Sequence, residues 1–233
     1  MDAGVDRNDD VCAIIPCYNE GASIQRIVRA ARAHVKTVLV IDDCSTDQTA
    51  AEAHAGGAVV VRHARNMGKG AGLKTAFREA AKLGFRAAVT IDGDGQHDTT
   101  EIPSFIEAFR QGDCDIVLGN RMEDTRSMPR VRRITNQFTS WAISKMVGSP
   151  ISDTQCGFRL ISLDFWQATR LDTCRFDLES EILIKACRSG AKIKQVRVRT
   201  IYFNDAESKI NPIVDTWRFF MLLWRLRAGA GQF

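Results

Sequence analysis

Short apolar runs that alternate with amphipathic stretches constrain the fold of this chain more than any other feature. Five runs rich in Val and Ile lie at residues 11 to 15, 38 to 42, 58 to 62, 87 to 91 and 115 to 119. Runs this short are typical of buried parallel strands. Helical patterns lie between them at residues 20 to 34, 46 to 55 (with Ser45 as the expected N-cap), 69 to 83 and 101 to 110. The alternation predicts right-handed βαβ units and a doubly wound, mostly parallel α/β sheet.

The second half of the chain, after Arg121, has a less regular pattern. In order, we expect an Arg-rich loop, a helix from about 131 to 147, a less regular segment at 151 to 163, a helix near 177 to 189 and a strand near 192 to 199. No linker rich in Gly, Ser or Pro and no internal repeat separates the two halves. One domain is therefore favoured over two.

The two ends of the chain differ in composition from the middle. Residues 1 to 10 are acidic and polar, which predicts a disordered tail and excludes a signal peptide. Residues 11 to 205 are expected to form the globular domain, and residues 206 to 233 a basic amphipathic segment. Within that segment, residues 213 to 227 combine Trp, Phe, Met and Leu with Arg near both ends, which predicts an interfacial helix on an anionic membrane surface. Docking on the domain or against a second copy is the alternative.

Composition and charge exclude several classes of protein. The 233 residues are 45% apolar, enough for one well-buried core. The net charge of +4 argues against a nucleic-acid-binding protein, although residues 185 to 233 carry +7 and the rest of the chain −3. Seven cysteines without a C-x-x-C pair favour a reducing cytoplasm over a disulfide framework. No apolar stretch is long enough to span a membrane. The sequence does not indicate an oligomeric state.

Polar clusters follow the first two predicted strands, where ligands bind in open parallel sheets. Tyr18 could supply a flat face for a nucleobase, and Asp43 could accept a hydrogen bond from its imino N–H. The alternative for Asp42 and Asp43 is a local role in capping the next helix.

The run Asp92, Asp94 and Gln96 places oxygen ligands at every second residue after the fourth strand. This arrangement suits Mg²⁺ or Mn²⁺ when a diphosphate supplies the remaining oxygens. A calcium loop of the EF-hand type is excluded because His97 and Pro103 stand where it needs Gly and Glu. We expect His97 to orient the site rather than to bind the metal.

Two other features stay open at this point. Gly68, Lys69 and Gly70 do not form a phosphate-binding P-loop, so helix initiation and substrate contact are equally favoured for Lys69. Glu179 and Glu181 are two residues apart and so lie on different helix faces, which leaves one of them as a candidate for an acceptor cleft.

Six motifs follow one another along the chain. They are Pro16-x-Tyr18-Asn19-Glu20, Asp42-Asp43-x-Ser45-x-Asp47-x-Thr49, Asn66-x-Gly68-Lys69-Gly70, Asp92-x-Asp94-x-Gln96-His97, Gly119-Asn120-Arg121 and Asp153-Thr154-Gln155-Cys156-Gly157-Phe158-Arg159. Together and in this order they resemble those of family 2 glycosyltransferases with the GT-A fold, a Rossmann-like nucleotide-diphospho-sugar transferase fold. The similarity spans roughly residues 11 to 210, and the subgroup it resembles is the polyprenyl-phosphate hexose synthases of the dolichyl-phosphate mannose and glucose type.

The resemblance implies roles for individual residues. It implies metal binding by Asp94 and Gln96, and phosphate handling by Arg121 and Arg159. The implied catalytic set is Asp94, Arg121, Asp153 and Arg159. The implied nucleotide-sugar-binding set is Pro16, Tyr18, Glu20, Asp43, Asp92, Gly93, Asp94, Gln96, Arg121 and Lys209.

The resemblance also implies an activity: metal-dependent transfer of a hexose from GDP-mannose or UDP-glucose to a polyprenyl or dolichyl phosphate at the cytoplasmic membrane face. A lipid phosphate is already anionic and needs no general base. The first alternative is a glycan or small-molecule hydroxyl acceptor, with Asp153 as the base. The second is a non-catalytic membrane module that binds nucleotide sugar. The chain lacks the Q-x-x-R-W motif of processive synthases, so a single transfer is expected.

Overall fold

The structure, a computed structural model, describes residues 10 to 112, 114 to 123, 125, 128 to 173, 177 to 199 and 201. Residues 1 to 9 and 206 to 233, including Lys209, lie outside this part of the chain, and what the sequence predicts for them stays a prediction. None of the helices described is long and apolar enough to cross a membrane.

A seven-stranded sheet forms the centre of the fold, with the strand order β3-β2-β1-β4-β6-β5-β7. β6 is antiparallel to β4 and β5, and the other neighbouring pairs are parallel. The strands are β1 Val11–Cys17, β2 Val38–Asp42, β3 Val59–Arg62, β4 Ala87–Thr90, β5 Ile116–Asn120, β6 Arg159–Ser162 and β7 Ile193–Arg197.

Helices cover both faces of the sheet, and each face has its own apolar core. Residues of α1 and α4 pack on one face, and residues of α3, α5 and α7 pack on the other. The helices are α1 Ile24–Arg32, α2 Thr49–Ala55, α3 Lys69–Lys82, α4 Ile102–Arg110, α5 Arg130–Val147, α6 Leu163–Ala168 and α7 Asp177–Arg188, with a 3₁₀ turn at Thr99–Glu101 before α4.

The predicted α/β fold with a mostly parallel sheet is confirmed, and the differences are local. α2 begins at Thr49 rather than at residue 46, because the Ser45 hydroxyl accepts the backbone N–H of Asn19 instead of capping the helix. The segment at 151 to 163, expected to be less regular, contains β6. Its four residues are all buried between β4 and β5, which stabilises a strand too short to give a periodic signal.

Candidate active site

The loops after β1 and β2 are joined at the carboxyl edge of the sheet. The backbone N–H of Asn19 donates to Ser45 Oγ at 2.9 Å, and the backbone N–H of Thr46 donates to Asn19 Oδ1 at 2.9 Å. Asn19 has a φ of 55°, a conformation that Asn tolerates better than most residues. The neighbouring Tyr18 is 40% exposed at this edge of the sheet, and its role as a nucleobase platform stays a prediction.

Pro16, Glu20 and Gly93 lie close to the same edge. Pro16 is within β1, where α3 approaches it so closely that a Cβ on Gly72 would lie 3.1 Å from the Pro16 Cβ. A Cβ on Gly93 would lie 2.9 Å from Cys17 Sγ and 3.1 Å from Glu20 Cγ. A larger residue at position 93 would therefore press against the side chains of Cys17 and Glu20.

Asp43 is buried, and its carboxylate organises the loop before α3. Its oxygens accept the backbone N–H groups of Met67 at 2.9 and 3.1 Å and of Gly68 at 2.7 Å, and Oδ1 lies 2.7 Å from His63 Nδ1. The other ring nitrogen of His63 is 3.0 Å from the Thr75 hydroxyl. These four contacts give Asp43 a positioning role in the loop before α3. They do not test its expected contact with a nucleobase, which stays a prediction.

Lys69, the first residue of α3, lies between two carboxylates. Its ammonium is 2.7 Å from Asp92 Oδ1 and 3.2 Å from Glu179 Oε1. Gly157 lies against both acids, because a Cβ there would be 2.8 Å from Asp92 Oδ2 and 3.3 Å from Glu179 Oε1. Lys69 thus begins α3 and pairs with two carboxylates, while its contact with substrate stays a prediction. Of the two acids on α7, it is Glu179 that lies beside Asp92.

Charge pairing dominates the electrostatics of this cluster. Burial raises the pKa of the Asp92 carboxyl, but the positive charge of Lys69 and the hydrogen bond that its ammonium donates outweigh that effect, and the pKa of Asp92 lies well below its ordinary value. Burial lowers the pKa of the Lys69 ammonium, but the charges of Asp92 and Glu179 raise it well above its ordinary value. Both groups are therefore ionised at neutral pH.

His97 contacts both the backbone and the carboxylate of Asp92 through its imidazole ring. Its Nδ1 accepts the backbone N–H of Asp92 at 3.2 Å, which places the ring proton on Nε2, 3.7 Å from Asp92 Oδ2. The ring stacks on Phe158 with centroids 5.0 Å apart and planes 10° apart. Burial lowers the pKa of His97, although Asp92 and Asp94 act in the opposite direction. These contacts agree with the orienting role expected from the sequence.

Asp94 and Gln96 form the outer part of the same loop. Asp94 is exposed, and its Oδ1 accepts the backbone N–H of Gln96 at 2.9 Å. Among the described residues, no group of three or more His, Cys, Asp or Glu side chains could hold a metal by itself. Mg²⁺ sites in phosphate-transferring proteins commonly use only one or two carboxylates and take their other oxygens from substrate phosphates. An exposed Asp94 carboxylate beside a Gln96 amide fits such a site.

Arg121 and Asp153 form a two-pronged ion pair at the end of β5. Arg121 Nε donates to Asp153 Oδ2 at 2.7 Å and Nη2 donates to Oδ1 at 3.0 Å, while Asn136 Nδ2 donates to Oδ1 at 2.8 Å. Burial raises the pKa of Asp153, but the hydrogen bonds from Arg121 and Asn136 outweigh it and lower the pKa. A carboxylate that is 1% exposed and holds its proton so weakly is a poor general base. Asp153 clamps Arg121 in the structure, and its role as a base stays a prediction that these contacts disfavour.

Arg159 is buried and bonded to the backbone. The residue is 2% exposed, and its guanidinium donates to three backbone carbonyls: Cys156 at 2.7 Å, Glu179 at 2.8 Å and Thr154 at 2.9 Å. The guanidinium therefore ties the loop before β6 to α7, which is a positioning role. The phosphate-handling role expected from the resemblance stays a prediction.

Two supporting residues, His63 and Asn136, were missed by the sequence analysis. His63 follows β3 directly and so had a positional signal, since the ends of parallel strands meet at one edge of the sheet. Asn136 had none, because its contact with Asp153 depends on how α5 packs against a loop 17 residues away.

The fold and this cluster define a GT-A glycosyltransferase. The chain belongs to the Glycosyl transferase family 2, whose family model matches residues 12–165. It is therefore a transferase, and the alternative of a non-catalytic module is set aside.

Several characterised or solved proteins are similar to this chain. Glycosyltransferase AglJ from Haloferax volcanii is 30% identical over 93% of this chain and 72% of its own length. A UDP-N-acetylglucosamine–dolichyl-phosphate N-acetylglucosaminyltransferase from Methanococcus voltae is 26% identical over 93% of this chain and 95% of its own length. An undecaprenyl-phosphate mannosyltransferase from Micrococcus luteus is 28% identical over 86% of this chain and 87% of its own length.

Among solved structures, glucosyl-3-phosphoglycerate synthase from Mycobacterium tuberculosis in complex with Mn²⁺, UDP and phosphoglyceric acid superimposes with a TM-score of 0.73. The match is 18% identical and covers 96% of this chain and 79% of that one. At this identity the likeness shows the fold.

Proposed function

We propose that this glycosyltransferase moves a sugar from a nucleoside-diphosphate sugar to a polyprenyl phosphate at the cytoplasmic face of a membrane. The observation that carries the proposal is the exposed Asp94 carboxylate at the carboxyl edge of the sheet, next to the ion-paired Asp92 and near the clamped Arg121. Two similar proteins named for transfer to dolichyl or undecaprenyl phosphate support the choice of acceptor.

For the donor, we assign the nucleobase to the face of Tyr18, with Pro16, Glu20 and the backbone at Gly93 forming the adjacent wall. Asp92, held in place by Lys69, is assigned to the sugar or ribose hydroxyl groups, because an ionised carboxylate accepts hydrogen bonds strongly. Lys209 keeps its expected role in closing over the donor.

Asp94 and Gln96 would hold Mg²⁺ or Mn²⁺ together with oxygens of the donor diphosphate. When bound, the metal supplies Lewis-acid neutralisation of the charge on the departing nucleoside diphosphate. Structures of glucosyl-3-phosphoglycerate synthase contain Mn²⁺ or Mg²⁺ with UDP, which supports the choice of metals. The backbone N–H of Gln96 fixes Asp94 Oδ1, so the carboxylate is oriented before any ligand arrives.

For the acceptor, the state of Asp153 favours a phosphate over a hydroxyl group. A hydroxyl needs a base to take its proton, and Asp153, the candidate for that role, is buried and has a lowered pKa. A phosphate monoester attacks as an anion, so positioning and charge neutralisation suffice. Arg121 is held in a fixed orientation by Asp153, which uses two of its five N–H donors, and we assign other N–H groups of the same guanidinium to phosphate oxygens.

A transfer assay with a panel of labelled donors tests the proposal. Purified full chain is incubated with polyprenyl phosphate, Mg²⁺ or Mn²⁺ and GDP-mannose, UDP-glucose or UDP-N-acetylglucosamine in turn, and the lipid is extracted into organic solvent. We expect label from one donor in the organic phase and none with EDTA. Donor hydrolysis or transfer to a glycan or small-molecule hydroxyl acceptor, without lipid-linked label, would refute the lipid acceptor.

A further inference from the structure

Helix α5 has its polar and apolar sides reversed relative to an ordinary surface helix. Its buried side includes Asn136, Thr139 and Ser140, together with Ile143. Its exposed side presents an apolar stripe, which consists of Val131, Ile134, Phe138 and Trp141 at 76%, 63%, 49% and 59% exposure. At 3.6 residues per turn these four side chains fall within an arc of about 80°. A contiguous exposed stripe of this kind marks an interaction surface.

The charge on α5 selects the kind of partner. Between residues 130 and 147 the helix carries Arg130, Arg132, Arg133 and Lys145 and no acidic residue. Lys145 lies in line with the stripe, one turn beyond Trp141, and Arg130 lies beside its other end. Basic side chains with apolar stems at the borders of an apolar stripe are typical of helices that lie in the headgroup region of anionic membranes.

The apolar stripe is also close to the candidate active site. A cavity of about 400 Å³ beside α5 is lined by residues that include Trp141, Ser140, Met122 and Ser152. Met122 and Ser152 are the chain neighbours of Arg121 and Asp153, which form the clamp described above. A membrane surface against the stripe would therefore bring lipid headgroups next to the side of the site where Arg121 lies.

We propose that the apolar stripe of α5 docks the catalytic domain onto an anionic lipid bilayer. The other two candidate occupants fit less well. Residues 213 to 227 of this chain carry three arginines and one aspartate, so they share the positive charge of α5. A second copy of α5 would likewise bring four positive charges against four. An anionic bilayer provides both an apolar interior for the stripe and a negatively charged surface for the basic side chains beside it.

Vesicle binding by the full chain tests the docking. We compare the variant Val131→Ser/Ile134→Ser with the matched control Val59→Ser/Leu83→Ser, whose two residues are 51% and 57% exposed but lie outside the stripe. On vesicles of phosphatidylglycerol and phosphatidylcholine, we expect the α5 variant to bind about tenfold more weakly than wild type and the control to bind like wild type. Equal affinity of the two variants, or no binding by wild type, would overturn the proposal.

Fluorescence of Trp141 gives a second, independent measurement. In a variant with Trp166, Trp217 and Trp224 replaced by Phe, Trp141 is the remaining tryptophan. Its emission is expected to shift to shorter wavelength on anionic vesicles and to be quenched by brominated lipid. Emission unchanged by vesicles would contradict docking, and a concentration-dependent shift without lipid would assign the stripe to a second copy instead.

The docking inference rests on the proposed function only for the identity of the acceptor. A transfer assay with a short, water-soluble prenyl phosphate distinguishes a failure of membrane docking from a failure of the proposed function. We expect the Val131→Ser/Ile134→Ser variant to match wild type with this soluble acceptor and to lose about tenfold in rate with acceptor embedded in vesicles. If wild type transfers to neither acceptor, the proposed function fails while the vesicle-binding result still decides the docking.

Discussion

Lys69 Nζ lies 2.7 Å from Asp92 Oδ1, so the first residue of α3 neutralises the acid that follows β4. The same ammonium is 3.2 Å from Glu179 Oε1 on α7. One cation thus prevents two neighbouring carboxylates from repelling each other at the mouth of the site. Because the three residues come from three separate elements, the ion pairs also fix how those elements meet.

The first prediction concerns Lys69→Met. Both carboxylates then lose their counter-ion in a partly buried position, so we expect the free energy of unfolding to fall by about 2 kcal/mol. Urea unfolding followed by circular dichroism measures this change. Lys82→Met is the matched control, because the Lys82 side chain is 62% exposed and pairs with Glu79 at the surface. An equal effect of the two substitutions would contradict the buried role of Lys69.

The second prediction separates structure from phosphate binding at Arg159. Arg159→Met leaves three buried carbonyls without their donor, and we expect a loss of about 3 to 5 kcal/mol in unfolding free energy. Thermal unfolding measures it against Arg78→Met, a substitution at a 63% exposed side chain. A variant of Arg159 that unfolds like wild type but binds nucleotide diphosphate poorly would instead favour the phosphate-handling role.

The third prediction is a pH dependence of stability at Asp153. The pKa of this carboxyl is lower in the folded chain than in the unfolded one, so its ionised form stabilises the fold above the unfolded pKa of about 4. That contribution is lost as the pH falls through the folded pKa. The difference in unfolding free energy between wild type and Asp153→Asn should be constant from about pH 5 to 8 and shrink below about pH 4. A difference that stays constant on acidification would contradict the ion pair with Arg121.

The fourth prediction concerns the loop that Asp43 organises. In Asp43→Asn, one acceptor oxygen becomes an N–H₂ group that faces other donors, so the hydrogen bonds from Met67 and Gly68 weaken. Amide hydrogen exchange at these two residues should accelerate by about tenfold or more. Asp164→Asn, at the exposed start of α6, should leave both exchange rates unchanged. Unchanged exchange in Asp43→Asn would contradict the positioning role of Asp43 and favour its contact with a nucleobase.

The sequence was sufficient for most of the fold because buried parallel strands carry their signal locally. The run at 38 to 42 is buried at all five positions as β2, and such runs need no partner to be recognised. β6 could not be predicted in the same way. It has four residues, it begins with an arginine, and it is a strand because β4 and β5 hydrogen-bond to it on both sides.

For the candidate site, the sequence identified the right loops but not the partners of each side chain. Asp43, Asp153 and Arg159 were all expected to face substrate, and the structure shows each of them satisfied by protein groups. Motif spacing reports which residues reach the sheet edge, whereas the direction of a carboxylate or guanidinium depends on neighbours distant in sequence. Lys69 shows this most clearly, because its second partner, Glu179, lies 110 positions away.

The rate of lipid-linked sugar formation by Asp94→Asn tests the central claim most directly. The assay uses purified full chain, the donor selected from the panel, polyprenyl phosphate and saturating Mn²⁺, with Asp98→Asn as the control four residues along the same loop. We predict that Asp94→Asn lowers the rate by about 100-fold or more, while Asp98→Asn stays within about threefold of wild type. A wild-type rate in Asp94→Asn, or lipid-linked product that forms equally well with EDTA, would contradict the account.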